Sequence, residues 1–388
     1  MYRKLLTLSL AVLFALSLVA CNPEVSADDP VNQGQSSADT TDPTYFYEEV
    51  SDLITVDAKV IGRTPGEIPS VYVGTLPELN QEAYHQFLEA LDDSVSEVLT
   101  DISESEYEMF VTKTKNGALA GFNTAVGFSY NISYSADSYT YYGVAVSNYG
   151  PYERVKYQEE DNTEYFTEPK SFAFASPEEA DAQARALLEV LGIQNAILVE
   201  TLYLDHATLS EQYQIQAPTD KIAVTGNDVP DKDSWTSADD AYYLTYEIGY
   251  PDIRLIPTYQ PVGTNENYVS STFRIVWGAE GCIYLQGSNP WIFGEVVETG
   301  TALISAQEAL DEAIAILNLA PTDYERVINE VSLRYYYAQD GDRYLLRPCW
   351  NISVLSLDVP QIFMGQEIGE PMDELNYILL DAYTGQEL

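Results

Sequence analysis

Two helix starts of the same design, 129 residues apart, constrain this chain more than any other feature of its sequence. In Ser176-Pro177-Glu178-Glu179 the serine can cap the first turn, proline suits the first helical position, and Glu179 can reach back to the cap. Ser305-Ala306-Gln307-Glu308 repeats the arrangement, and Gly192 supplies a stop for the first of the two helices. Each start is followed by segments of strand character: 197–204, 242–250, 272–277 and 282–286 after the first, then 327–337, 344–355 and 375–382 after the second. In 242–250, Tyr242, Leu244, Tyr246, Ile248 and Tyr250 share one face against Tyr243, Thr245 and Glu247, the period of a half-buried strand. The residues from Gly278 to Gly281 read as the turn of a meander. A helix start followed by antiparallel strands, used twice, looks like an internal duplication. It predicts the α+β class, with two or three units in which one helix packs across a curled antiparallel sheet.

The first part of the chain fits the same scheme. Residues 53–60 read as a strand, and from Leu76 onward Leu79, Ala83, Phe87, Leu88, Leu91, Val95 and Val98 draw one apolar stripe at helical spacing. His85 falls with Gln81 and Asp92 on the opposite face of that helix. Phe128, Tyr130, Ile132 and Tyr134 then alternate with Ser129, Asn131 and Ser133, and residues 139–146 read as the hairpin partner. The predicted domains are 45–172, 173–300 and 301–388, with a long acidic loop at 216–240.

Ahead of the folded part, Arg3 and Lys4 precede an uncharged run from Leu5 to Ala20 that ends in Leu18-Val19-Ala20-Cys21. A basic start, an apolar stretch and a small-residue site make a signal peptide over 1–20, too short to cross ~30 Å of hydrocarbon comfortably as a helix. The sequence Leu-Val-Ala-Cys resembles the lipobox of bacterial lipoproteins. That resemblance implies a diacylglyceryl thioether on Cys21, and two or more acyl chains give stable anchoring where one does not. Residues 21–44 are then the lipidated cysteine and an acidic tether. From Asn22 on, the tether is mostly Asp, Ser, Pro, Gln and Thr, with no aromatic residue to bury. The expected location is the outer face of the bacterial cytoplasmic membrane.

Charge narrows the partners. Without residues 1–20, 16 basic residues face 61 acidic ones, a net charge of −45. Nucleic acid and a bare anionic membrane surface would both repel such a chain, so neither is a predicted partner.

Chemistry is sparse. Two histidines restrict acid–base and metal mechanisms, and both His85 and His206 read as solvated surface. Hydrolase, zincin, P-loop and dinucleotide motifs are absent from the sequence. Calcium is the cofactor the residues could suit, through Asn227, Asp228, Asp231, Asp233, Asp239 and Asp240, although the spacing is not that of an EF-hand and the default expectation is no cofactor. Cys282 and Cys349 read as free buried thiols. The 31 tyrosines read chiefly as half-buried packing residues; a glycan-stacking surface around Tyr139, Tyr141 and Tyr142, or Tyr335 to Tyr337, is the alternative.

The C-terminal unit carries a further resemblance. The helix start at Ser305, the strand Leu346-Arg347-Pro348-Cys349-Trp350-Asn351-Ile352 and the ending 377–385 resemble the PepSY-type fold and the YycH and YycI group of extracytoplasmic regulators of a wall-sensing histidine kinase. The mature chain as a whole is similar to uncharacterised lipoproteins of Gram-positive bacteria. The resemblance implies a non-enzymatic interaction or regulatory module for another envelope protein, a sensor domain or a protease, and it supplies no catalytic residue. A binding module for wall glycan or a small ligand is the second expectation. A wall hydrolase, which needs two facing carboxylates ~5 to 9.5 Å apart, is the third.

Overall fold

The computed structural model describes residues 44–61, 68–103, 107–125, 129–136, 165–216, 234–256, 271–300, 302–341, 343–360, 362–363, 366–367 and 371–388. The expected signal peptide, Cys21, the tether up to residue 43 and the strand at 139–146 lie outside the described residues.

The chain runs through β1 (Tyr45–Ser51), β2 (Ile54–Ile61), β3 (Ser70–Thr75), helix α1 (Gln81–Ala90), then β4 (Val95–Ser103), β5 (Tyr107–Thr114), β6 (Leu119–Ala125) and β7 (Ser129–Ser135). Helix α2 (Pro177–Val190), β8 (Ala196–Leu204), helix α3 (His206–Gln216), β9 (Ala241–Ile248), β10 (Thr272–Gly278), β11 (Gly281–Ser288) and β12 (Ile292–Thr299) follow. Helix α4 (Ala306–Leu319), β13 (Arg326–Asp340), β14 (Arg343–Val359), the two-residue strands β15 (Ile362–Phe363) and β16 (Gln366–Glu367), and β17 (Met372–Asp381) complete it.

This corrects the expected fold class. Among the described residues strands hold 53% and helices 18%, in two large sheets of eight and seven strands with four short helices, so the described structure is mostly β. The units of one helix on a curled sheet do not form, because the predicted strand groups do not close separately. In the eight-stranded sheet, ordered β4-β5-β6-β7-β11-β10-β9-β8, the last strand of one meander pairs antiparallel with the last strand of the other, Leu285 opposite Tyr134. In the seven-stranded sheet β2 pairs in parallel with β13, Val56 beside Ile328, which joins the start of the chain to its end.

Two compact units result. The first draws on the described residues of 76–248 and 271–292 and holds the eight-stranded sheet; the second draws on the described residues of 44–75, 249–256 and 293–388 and holds the seven-stranded one. Of the expected segments, 301–388 falls wholly in the second unit, while 45–172 and 173–300 each divide between the two.

In the first unit α1 and α2 end in the same way, 100 residues apart. After α1, the N–H groups of Asp92 and Asp93 bond the carbonyls of Glu89 and Leu88 at 3.0 and 2.9 Å; after α2, those of Gly192 and Ile193 bond Glu189 and Leu188 at 2.9 and 3.0 Å. Both positions after the cap are left-handed, φ +53° at Asp92 and +76° at Gly192. That turn is why α1 stops before Val95 and Val98, which the apolar spacing had assigned to the helix and which belong to β4. Tyr84 of α1 bonds Thr112 of β5 at 2.6 Å, and Tyr246 of β9 donates to Asp181 of α2 at 2.8 Å, so each helix is fixed to the sheet through a partnered phenol.

The second unit has its core between α4 and the sheet, where Ala309, Leu310 and Ala313 meet Val331, Leu333, Trp350, Ile352 and Leu380. Both capping boxes form as read: Ser176 and Ser305 accept from the N–H of Glu179 and Glu308 at 3.2 and 3.1 Å. At the other end of α4, the buried Arg326 donates to the carbonyls of Ala320 and Leu317 at 2.9 and 3.1 Å, placing a cation where the helix leaves orphan acceptors.

Trp350→Ala is expected to cost ~3 to 5 kcal/mol by emptying core volume, and Arg326→Met about 2 to 3 by removing the guanidinium donors from the end of α4. Denaturant unfolding of each purified variant checks both. The Tyr84 phenol, pushed up to about 12 mainly by burial, favours folding while protonated. That contribution is complete below pH ~10 and is lost as pH rises through ~12, so Tyr84→Phe should flatten the alkaline fall in stability over that window.

Candidate functional site

Among the described residues of the first unit, a set of titratable side chains meets where β8 gives way to α3. Asp205 caps α3, accepting from the Thr208 N–H at 3.2 Å and its hydroxyl at 2.7 Å, and Lys170 pairs with the same carboxylate. Burial pushes the Asp205 carboxyl upward, but the bonds from Lys170 and Thr208 outweigh it and hold the group below the usual carboxylate range.

His206 opens the helix. Its N–H donates to Asp240 Oδ1 at 2.7 Å, and its ring Nδ1 lies 2.8 Å from the same oxygen. Asp240 is buried and the His206 side chain is 43% exposed, so a fixed carboxylate orients a ring whose Nε2 has no partner among the described residues. Asp–His pairs of this kind set the tautomer of a base or a ligand-binding imidazole. No described nucleophile faces it: Ser210 donates its hydroxyl to the His206 carbonyl at 2.6 Å, and Thr208 is committed to Asp205. The pair therefore orders the start of α3 against the start of β9. The expectation that His206 is merely solvated is corrected, whereas His85 is exposed on α1, with its ring 5.9 Å from that of Tyr84.

Of the calcium candidates, only Asp239 and Asp240 lie among the described residues, and each is engaged by neighbouring protein groups. Asp239 accepts from the N–H and hydroxyl of Thr236 at 2.8 and 3.0 Å, while its neighbour Asp240 serves His206. Asp228, Asp231 and Asp233 lie outside the described residues, as does Asn227. Among the described residues no group of three or more His, Cys, Asp or Glu side chains is arranged to hold a metal ion. Cys282 and Cys349 are free thiols, both pushed up chiefly by burial, which makes them poor nucleophiles.

The tyrosines divide into packing and surface. In the second unit, Tyr335 is fully buried and meets Phe293 edge-on at 4.9 Å and Tyr72 at 6.0 Å, and Tyr72 meets Phe293 at 5.4 Å. Tyr250 caps this cluster, stacked on Phe293 at 5.5 Å and 42% exposed. Tyr335, Tyr336 and Tyr337 are successive residues of one strand and so alternate between its faces, which prevents them from forming the single stacking surface considered from the sequence. Tyr139, Tyr141 and Tyr142 lie outside the described residues.

Part of the apolar exposure lies on edge strands. β4 ends the eight-stranded sheet with Val98 and Leu99 at 50% and 48% exposure, and β12 ends the seven-stranded sheet with Val296 and Val297 at 53% and 37%. In β12 these consecutive residues point to opposite faces, so neither face is covered there, whereas in β4 a register shift between Val98 and Thr100 places Leu99 at a bulge. Sequence periodicity missed this because an uncovered edge strand has the same alternation as a covered one.

No family profile matches the sequence, and no curated protein matches it. Among solved structures, the crystal structure of an uncharacterized protein from Eubacterium rectale is similar over 89% of this chain and 93% of its own, with a TM-score of 0.58 and 17% identity. At that identity the likeness shows the fold alone.

His206→Gln is expected to cost about 1 kcal/mol and Asp240→Ala about 2 to 3, since the second change leaves a helix-start N–H without its acceptor. Hydrogen exchange in α3 should rise in both. Asp205 stabilises the fold above its unfolded pKa, near 4, and that contribution is lost as pH falls through its lowered folded value. Asp205→Asn should therefore remove a component of the acid-side loss of stability.

Proposed function

We infer that this protein is a lipid-anchored lipoprotein on the outer face of the bacterial cytoplasmic membrane, acting as a non-enzymatic interaction or regulatory module for another envelope protein. The observation that carries the interaction reading is the apolar exposure of the edge strands β4 and β12, two-faced in β12, which offer side chains and open backbone to an added segment. The lipobox-like sequence ending at Cys21 supports the anchor, and the acidic tether would hold the folded part away from the membrane. Among the described residues no helix is long and apolar enough to cross a membrane.

A second reading, a binding module for wall glycan or a small ligand, is favoured by the exposed ring of Tyr250 stacked on Phe293, since sugar rings pack on such faces. Tyr250→Ala would weaken binding to wall fragments under that reading and leave envelope-protein crosslinking intact under the first.

Cys21→Ser is expected to shift the protein from the membrane fraction to the soluble one. Retention of the variant on the membrane would refute the anchor. Crosslinking in intact cells should capture a defined envelope protein with the wild type, and failure to do so would count against the interaction reading.

A further inference from the structure

Strand β12 ends the seven-stranded sheet, pairing with β3 on one side only, and its residues from Gly294 to Thr299 are all exposed. The segment Glu295-Val296-Val297-Glu298 reads the same in both directions. Side chains alternate along a strand, so Glu295 and Val297 stand on one face, Val296 and Glu298 on the other, and each face carries one acid and one apolar group.

This pattern decides what can add to the edge. A second copy of the chain, pairing antiparallel about the centre of the segment, would set Glu295 opposite Glu298 twice, and like charges directly opposite are destabilising. A net charge of −43 opposes the same encounter at longer range. A segment with Lys or Arg at both outer positions and apolar residues between them meets neither objection. Its cations would face Glu295 and Glu298, and its apolar pair would cover Val296 and Val297. Because the acceptor is symmetric in sequence, the match holds in either strand direction. Glu298 already takes one guanidinium, from Arg347 at 3.3 Å, while remaining 49% exposed.

We propose that β12 is a strand-addition site for an extended basic segment of a partner, with the pattern basic–apolar–apolar–basic. Backbone hydrogen bonds along the edge supply affinity, and the two glutamates select the register and reject self-pairing. The proposal rests on the interaction reading above and gives it a place and a ligand chemistry.

Fluorescence anisotropy with the full chain tests it, using a short labelled peptide with a Lys-Val-Val-Lys core, the same residues reordered so that the lysines are adjacent, and a peptide with a Glu-Val-Val-Glu core. The wild type should bind the first peptide at least about tenfold more tightly than the reordered one. The double variant E295K/E298K moves the net charge only from −43 to −39, so general attraction to cations stays nearly unchanged. It should nevertheless lose that preference and gain binding to the Glu-Val-Val-Glu peptide. Equal binding of the two basic peptides by the wild type, or an unchanged preference in E295K/E298K, would overturn the site. If the preference is found but crosslinking in cells captures no envelope protein, the site stands and the interaction reading falls. If the preference is absent while a captured partner survives E295K/E298K, the site falls and the reading stands.

Discussion

The antiparallel pairing of β7 with β11 is the interaction on which the first unit depends. Each of these strands is the last of its own four-stranded meander, and each would otherwise present a full row of unpaired N–H and C=O groups. Joining them removes two edges at once and places α1 and α2 over one continuous surface. Unpaired backbone groups away from water cost about as much as lost hydrogen bonds, so the ladder from Asn131–Ser288 to Ser135–Tyr284 is worth more than its side-chain contacts suggest. On the other side of β11, Gly287 makes room for β10, since a Cβ there would fall 1.9 Å from the Phe273 ring.

The second unit solves the same problem with one long strand. β14 spans 17 residues, pairing with β13 along most of its length and with β17 and β3 along different parts of it, so a single element fixes the register of three others. Where β13 and β2 run together, a bulge between Ile328 and Glu330 resets the pairing. Arg326, just ahead of that bulge, ties the sheet to the end of α4.

Local features of this fold were legible in the sequence, and distant ones were not. The capping boxes at Ser176 and Ser305, the turn from Gly278 to Gly281 and the C-terminal strands depend on residues within a few positions of one another, so composition and spacing report them. The end of α1 was misread because Asp92 does there what Gly192 does after α2, and an aspartate in a left-handed turn leaves no strong mark. The merging of two meanders into one sheet was invisible because β7 and β11 alternate like any half-buried strand. The His206–Asp240 pair joins residues 34 apart across β8 and β9; Asp205 followed by Thr208 was the available sign that a helix starts there. The exposure of Val296 and Val297 depends on which strand ends the sheet, a fact of topology and not of local pattern.

The parallel pairing of β2 with β13 sets an order on the life of the chain. Ile54 and Arg326 are separated by 271 intervening residues, so β1 and β2, the first strands among the described residues, leave the ribosome early and are among the last to find their neighbour. The whole eight-stranded sheet lies within that interval and can form while they wait. During that time the hairpin of β1 and β2 is a two-stranded fragment of marginal stability, with Val56 and Ala58 still in water. Maturation of the second unit is thus paced by synthesis of the C-terminal strands, and a chain stopped short of residue 326 would release the first unit folded and the second without its centre.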